Sequence, residues 1–268
     1  MSDALALRLK AFHLPSFLSN YMDLARRAEQ AGWSYIQYLE CLAELEATDR
    51  QNRRVARLLK ESKLPRDKTL GTLEIERFPA AIRSQVRALS GGEFLEGATN
   101  ICAFGNPGAG KTHIVSAIGH ELVRKGHSVL FTPVSELVEK LLIAKRDLRL
   151  TRELRRLDRF GCLILDDIGY VQQGRDEMEV LFTLLSERYE RRSVMITTNL
   201  VFSKWDQIFK DPMTTAAAID RVVHHSVILE LNVPSYRADA AKRGKRSRTT
   251  GQTDEASKTL DGAIASAN

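Results

Sequence analysis

The residues best suited to do chemistry are Gly105-Asn106-Pro107-Gly108-Ala109-Gly110-Lys111-Thr112, which fit the spacing G-x-x-x-x-G-K-[ST]. Glycines let a backbone turn tightly enough to aim its N–H groups at phosphate oxygens. A helix opening at the end of such a loop adds unpaired N–H groups and a dipole that favours an anion. The spacing therefore predicts a triphosphate cradle over Gly105–Thr112 together with the next residue, His113. Lys111 is expected to reach the β- and γ-phosphates, and the Thr112 hydroxyl to ligand Mg²⁺.

A second set of candidates lies downstream. Cys162-Leu163-Ile164-Leu165 is an apolar run that ends in Asp166-Asp167. A buried strand delivering a carboxylate to its C-terminal edge beside a phosphate loop can hold Mg²⁺, and Asp166 is expected to do so through water. Asp167 is placed to orient or activate the attacking water. Two acids after a strand also suit a simple turn with a helix cap, and only the phosphate loop upstream favours the catalytic reading. The run Ser193-Val194-Met195-Ile196-Thr197-Thr198 ends in Asn199. That amide can hydrogen-bond a γ-phosphate or a water.

These residues need a frame to hold them. Ile101-Cys102-Ala103-Phe104 reads as a buried strand before the loop, and Ile114, Val115, Ile118 and Leu122 recur on one helix face after it. Further strands are expected at 128–132, 162–165, 193–198 and 227–231. Helices are expected at about 80–89, 135–144, 175–191 and 216–223, and a basic helical segment runs to Arg159. Strands and helices in alternation predict an α/β fold, with a parallel sheet covered on both faces. Residues 1–65 read as a small helical domain. Leu18, Tyr21, Met22, Ala25 and Ala28 form one apolar face, Gly32 and Ser34 punctuate the turn, and Tyr35, Tyr38, Leu39, Leu42 and Leu45 form the next face. Such a module suits docking or dimerisation as well as contact with DNA or a transposase. Residues 66–78 read as a linker, 79–234 as the catalytic domain, and 235–268 as a basic tail too polar to pack.

Composition excludes several classes. The 268 residues are 43% hydrophobic and 28% charged, which suits a globular chain. No apolar run approaches the roughly 20 residues that span a bilayer, so no membrane association is expected. The N-terminus lacks the pattern of a secretory signal. Cys41, Cys102 and Cys162 are far apart, which suits reduced thiols in a cytoplasmic protein. His224 and His225 precede the last strand, but with no third ligand in sight they read as structural. The net charge of +6 is a modest hint of an anionic partner. Residues 50–68, 145–159 and 237–248 are each rich in Lys and Arg, and each also reads as a solvated face.

Taken together, Gly105–Thr112, Leu163–Asp167, Thr197–Asn199 and Asp220-Arg221 resemble the AAA+ ATPases in kind and order. The stretches Asp166-Asp167-Ile168-Gly169, Ile196-Thr197-Thr198-Asn199 before Trp205, and Asp220-Arg221-Val222-Val223-His224-His225 are similar to the IstB family, the transposition helper ATPases of bacterial insertion sequences. These are relatives of the DnaC-type helicase loaders. The resemblance implies a five-stranded sheet ordered 5-1-4-3-2, ATP hydrolysis with Mg²⁺, ATP-dependent oligomerisation on DNA, and recruitment or stimulation of a cognate transposase; the sequence shows no base-reading motif, so little sequence preference is expected. It also makes Arg221 the arginine finger offered to a neighbouring subunit. Two features depart from the AAA+ pattern. Asp167 stands where most members have Glu. Little chain follows Leu231, so the helical lid is expected to be reduced or absent, with Arg237 as a weak candidate phosphate sensor. Two other functions stay open on sequence: a helicase loader that prefers single-stranded DNA, and a small-molecule P-loop kinase or metabolic ATPase.

Overall fold

The computed structural model describes residues 3–169, 174–205, 208 and 212–236. Five short apolar runs become strands: β1 (Asn100–Gly105), β2 (Val129–Pro133), β3 (Cys162–Asp166), β4 (Ser193–Thr198) and β5 (Ser226–Leu231). All pair in parallel, in the order β2-β3-β4-β1-β5. Read from the other edge, that is the expected order 5-1-4-3-2. β1, β3 and β4 are buried almost throughout, as continuous apolar strands covered on both faces must be.

The period-2 alternation of the strands divides the core into two layers. On one face Ile101, Ala103, Ile164, Met195 and Leu229 pack with Ile114, Val115, Ile118 and Leu122 of α5 (Lys111–Arg124). On the other face Cys102, Phe104, Leu163, Leu165, Val194 and Ile196 pack beneath three helices. These are α6 (Val134–Arg146), α7 (Leu150–Asp158) and α8 (Arg175–Arg188). Helix α9 (Pro212–Val223) joins this second face through Ala218 and Val222. Each fully buried Leu or Ile contributes about 1.5–3 kcal/mol, so the site residues stand on a stiff platform. Trp205 and Ile208 are buried in the same layer.

Three helices precede this domain: α1 (Asp3–Ala11), α2 (Pro15–Ala31) and α3 (Tyr35–Ser62). Gly32 closes α2 in the left-handed region, at φ 65°, where a glycine carries no Cβ penalty. Ser34 and Gln37 form a capping box at the start of α3. The buried faces differ from those the sequence spacing suggested. Leu24 is buried and Met22 exposed; Leu42 is buried while Tyr35 and Leu39 are exposed. The reason is polar. Glu46, only 4% exposed, accepts the Ser16 N–H at 2.9 Å and Arg50 Nε at 2.7 Å. This carboxylate at the N-terminus of α2 sets which faces meet. Burial alone would push the Glu46 carboxyl up; Arg50 and Ser16 outweigh it and hold the group below its ordinary value.

Residues 66–78, read above as a linker, are packed. Leu73 and Phe78 are buried in the β1 layer, and Ile75–Arg77 form a 3-10 turn. Two histidines of α5 hold the segment: His120 Nε2 lies 2.9 Å from the Pro65 carbonyl and His113 Nε2 3.1 Å from that of Thr69. Helix α4 (Ala80–Leu89) then buries Ile82, Val86 and Leu89. Among the described residues, no helix is long and apolar enough to cross a membrane. Arg237, the basic stretch 237–248 and any lid beyond Tyr236 lie outside the described residues.

Candidate functional site

The phosphate loop runs from the C-terminal end of β1 into α5. Gly108 and Gly110 take φ values of 82° and 91°, a region that any other residue enters only under strain. Neither has room for a side chain: a Cβ on Gly108 would strike the Ser235 hydroxyl, and one on Gly110 would press against Phe78. Lys111, 8% exposed, donates Nζ hydrogen bonds to the carbonyls of Gly105 (2.7 Å) and Asn106 (3.1 Å). The ammonium thus lies back across its own loop, inside the cradle. The first N–H groups of α5 open toward the same space.

Asp166 ends β3 beside this loop. Its Oδ1 accepts two hydroxyls, Thr112 Oγ1 at 2.9 Å and Thr197 Oγ1 at 2.6 Å. Thr197 Oγ1 also accepts the Asp167 N–H at 2.8 Å, so one buried hydroxyl positions both acids. Asp167 itself is exposed, with φ at 70°. A non-glycine residue held there costs about 1 kcal/mol and persists only where neighbours enforce it. The Thr197 hydroxyl and the Ile168 N–H, bonded to the Thr197 carbonyl at 3.0 Å, enforce it. Asp167 lines a cavity of about 370 Å³ together with Lys111 and Thr112.

The other predicted residues are spread around this centre. Asn199 follows β4, at the same end of the sheet. Its Oδ1 is buried beside Gly169 and has no hydrogen-bond partner among the described residues. Such an atom costs free energy until something donates to it. His113 was expected among the cradle residues, but its ring turns away to Thr69 and to the Thr72 hydroxyl, 3.2 Å from Nε2. Burial lowers the His113 pKa and outweighs the Thr69 carbonyl contact, which raises it; Lys68 nearby adds to the lowering. Its backbone N–H lies in the first turn of α5.

Arg221 lies far from this centre. Asn100 Nδ2 donates to the carbonyls of Arg221 (3.4 Å) and Val222 (3.1 Å), so Arg221 sits at the N-terminal end of β1. The loop begins at the other end, five residues on, or roughly 16 Å at strand rise. The Arg221 guanidinium donates to the Ala217 carbonyl at 3.1 Å and stacks over the Phe182 ring at 4.7 Å.

Several residues escaped the sequence reading. Thr197 is one: a hydroxyl at the end of an otherwise apolar central strand must find a partner, and that was the available signal. Arg188 is another. It is 2% exposed and donates to the carbonyls of Leu157 (3.2 Å), Phe160 (3.0 Å), Gly161 (3.4 Å) and Ser193 (3.1 Å). Burial pushes its pKa down to about 10. Cys102 and Cys162 are buried, and the same desolvation raises their thiols to about 12. Tyr236 is the third. Its N–H donates to the Gly108 carbonyl at 2.9 Å and its hydroxyl to Glu74 Oε1 at 3.0 Å, and Arg77 lies over its ring. The chain beyond β5 therefore returns to the phosphate loop. Finally, Glu190 joins His224 and His225 in one exposed cluster.

A five-stranded parallel sheet in this order, with a glycine loop after β1 and acids after β3, defines a P-loop protein of the AAA+ type. Residues 7–244 match the family described as IstB-like ATP binding protein, and the chain belongs to that family. An insertion-sequence ATP-binding protein of Sinorhizobium fredii is 43% identical over 91% of this chain and 82% of its own length. One from the insertion sequence IS21 of Pseudomonas aeruginosa is 37% identical over 88% of both chains. The crystal structure of DnaI superposes with a TM-score of 0.51 at 20% identity, covering 65% of this chain and 94% of that one, a likeness of fold.

Proposed function

We propose that this chain is an ATP-hydrolysing, DNA-binding AAA+ protein that self-assembles on DNA and recruits or stimulates the transposase of an insertion sequence. The names of its relatives support the insertion-sequence context and ATP binding. The donor set supports Mg²⁺: Thr112 Oγ1 and Asp166 are hard oxygen donors, 2.9 Å apart, at the mouth of the loop. Held there by Thr112 and Asp166, the ion would offset charge developing in phosphoryl transfer. The chain's own residues do the rest. Backbone N–H groups of Gly108–His113 receive phosphate oxygens, and Lys111 moves from its carbonyl partners to a phosphate. Thr197 holds Asp166 and Asp167 in register. Asp167 faces the cavity and orients or deprotonates a water, and Asn199, at the same end of the sheet, hydrogen-bonds the γ-phosphate or that water.

The observation that carries the assembly is the seat of Arg221. Its backbone lies about a strand's length from its own phosphate loop, too far to complete that site, and its half-buried guanidinium rests on Phe182 of α8. A neighbour's site is the one it can serve. Hydrolysis then requires an oligomer.

DNA binding rests on charge. A groove of about 640 Å³ in the helical domain is lined by Lys10, Arg50, Arg53, Arg54 and Arg57. Arg152 and Arg155 are exposed on α7. Each phosphate neutralised steepens the salt dependence by about 0.9 in the log–log slope. A filter-binding titration of ATP-loaded protein on duplex DNA tests this. Salt-sensitive binding with little sequence preference is expected. Absence of duplex binding would overturn the reading, and a strong preference for single strands would favour a helicase loader instead.

A further inference from the structure

We infer that Glu190, His224 and His225 form a binding site for a first-row divalent transition ion such as Zn²⁺. In sequence the histidines had no third ligand. The fold supplies one from 34 residues upstream, because the turn after α8 and the turn after α9 end at the same corner of the molecule. One ring nitrogen from each histidine and one carboxylate oxygen lie within 4.8 Å of one another. His225 Nε2 stands 3.7 Å from Glu190 Oε1, and the two imidazole rings are 4.3 Å apart, edge to face.

The chemistry of this set is selective. Two imidazoles and one carboxylate suit zinc, nickel, cobalt or copper, whereas Mg²⁺ and Ca²⁺ favour all-oxygen shells. Ligands about 2.1 Å from a tetrahedral zinc stand about 3.4 Å apart. The observed spread needs roughly 1 Å of closure, which exposed side chains achieve by small rotations. One outer group already touches the set. The Tyr189 hydroxyl lies 3.1 Å from His224 Nδ1 and also bonds Glu190, so it orients both groups as outer partners of metal ligands do. Glu190 is held at φ 54°, a left-handed conformation that turns it toward the histidines rather than along α8.

The site has a structural consequence. Glu190 belongs to the α8–β4 turn, and His224 and His225 to the α9–β5 turn. A bound ion would tie these two turns together one helical turn from Arg221. It would hold the end of α9 against α8, where Arg221 rests on Phe182. The ion therefore fixes the helix that carries the proposed trans arginine.

The test uses the full chain freed of any polyhistidine tag, titrated with ZnCl₂ by calorimetry. One Zn²⁺ per chain is expected. His224→Ala and His225→Ala should abolish it, and Glu190→Gln should weaken it at least tenfold. Asp220→Asn, a nearby exposed acid outside the set, should bind as the parent does. Zn²⁺ should raise the thermal midpoint of the parent but not of His224→Ala, since only a ligand bound to the folded state stabilises it. Glu190→Gln alters one exposed atom and is not expected to disturb folding, so it remains informative if a histidine variant misfolds. No stoichiometric binding, or binding equal in Glu190→Gln and the parent, would overturn the inference.

Discussion

Thr197→Val is the substitution that isolates how the two acids are positioned. Valine keeps the volume and the strand preference but removes the hydroxyl. That hydroxyl donates to Asp166 Oδ1 at 2.6 Å and accepts the Asp167 N–H at 2.8 Å. A hydrogen bond to a charged group contributes about 1.5–3 kcal/mol, and an orphaned donor costs about 1–3 kcal/mol. Asp167 is exposed, so water can reach its N–H and the second figure falls at the low end of its range. The expected loss is about 2–4 kcal/mol, read as a lower urea midpoint with an unchanged slope. Catalysis should suffer more than binding. Asp167 would relax from its left-handed conformation, and misplacement of a catalytic group by about 1 Å can cost about a hundredfold. ATP affinity, followed with a fluorescent nucleotide, should change little because the loop itself is untouched. Thr197→Ser keeps the hydroxyl and should restore most of the turnover. A valine variant with parental stability and full turnover would refute the positioning role.

Other outcomes follow from the same geometry. Arg188→Met should cost at least about 3 kcal/mol, because four carbonyls lose their donor in a buried place; thermal denaturation reads this directly. Gly108→Ala should block nucleotide binding, since the loop needs a positive φ there and a Cβ meets Ser235; equilibrium dialysis with ATP checks it. Burial lowers the folded pKa of His113 below its ordinary value of 6.5. The unfolded chain therefore takes up the proton first. The stabilising contribution of the neutral ring is complete above that ordinary value and is lost as pH falls through the window below it. His113→Gln should flatten the parent's loss of urea stability as pH falls below about 6.5.

Much of the nucleotide site was legible because its chemistry and its scaffold share one stretch of chain. The apolar runs at 101–104 and 162–165 are continuous because both faces of their strands are covered, and each leads into residues of the candidate site. The order of the strands was not legible from periodicity; it came from resemblance. Three features were hidden for physical reasons. The faces of α2 and α3 are set by a buried Glu46 network rather than by the longest apolar stripe. Residues 66–78 look like a polar connector, but a few apolar residues, Leu73 and Phe78 among them, and two histidine contacts suffice to dock them. Glu190 was invisible as a partner of His224 and His225 because only the fold brings the two turns together.

The central claim is that each site is completed by a neighbour, and mixing two inactive variants tests it most directly. Lys111→Ala should lose ATP binding yet keep Arg221 to offer. Arg221→Ala should bind ATP but not hydrolyse it. Each alone should be nearly inactive on duplex DNA. Mixed in equal amounts, they should recover a substantial fraction of parental ATPase activity, because a Lys111→Ala subunit can serve an Arg221→Ala site. Parental activity in Arg221→Ala alone, or no recovery on mixing when both variants still assemble on DNA, would contradict the account.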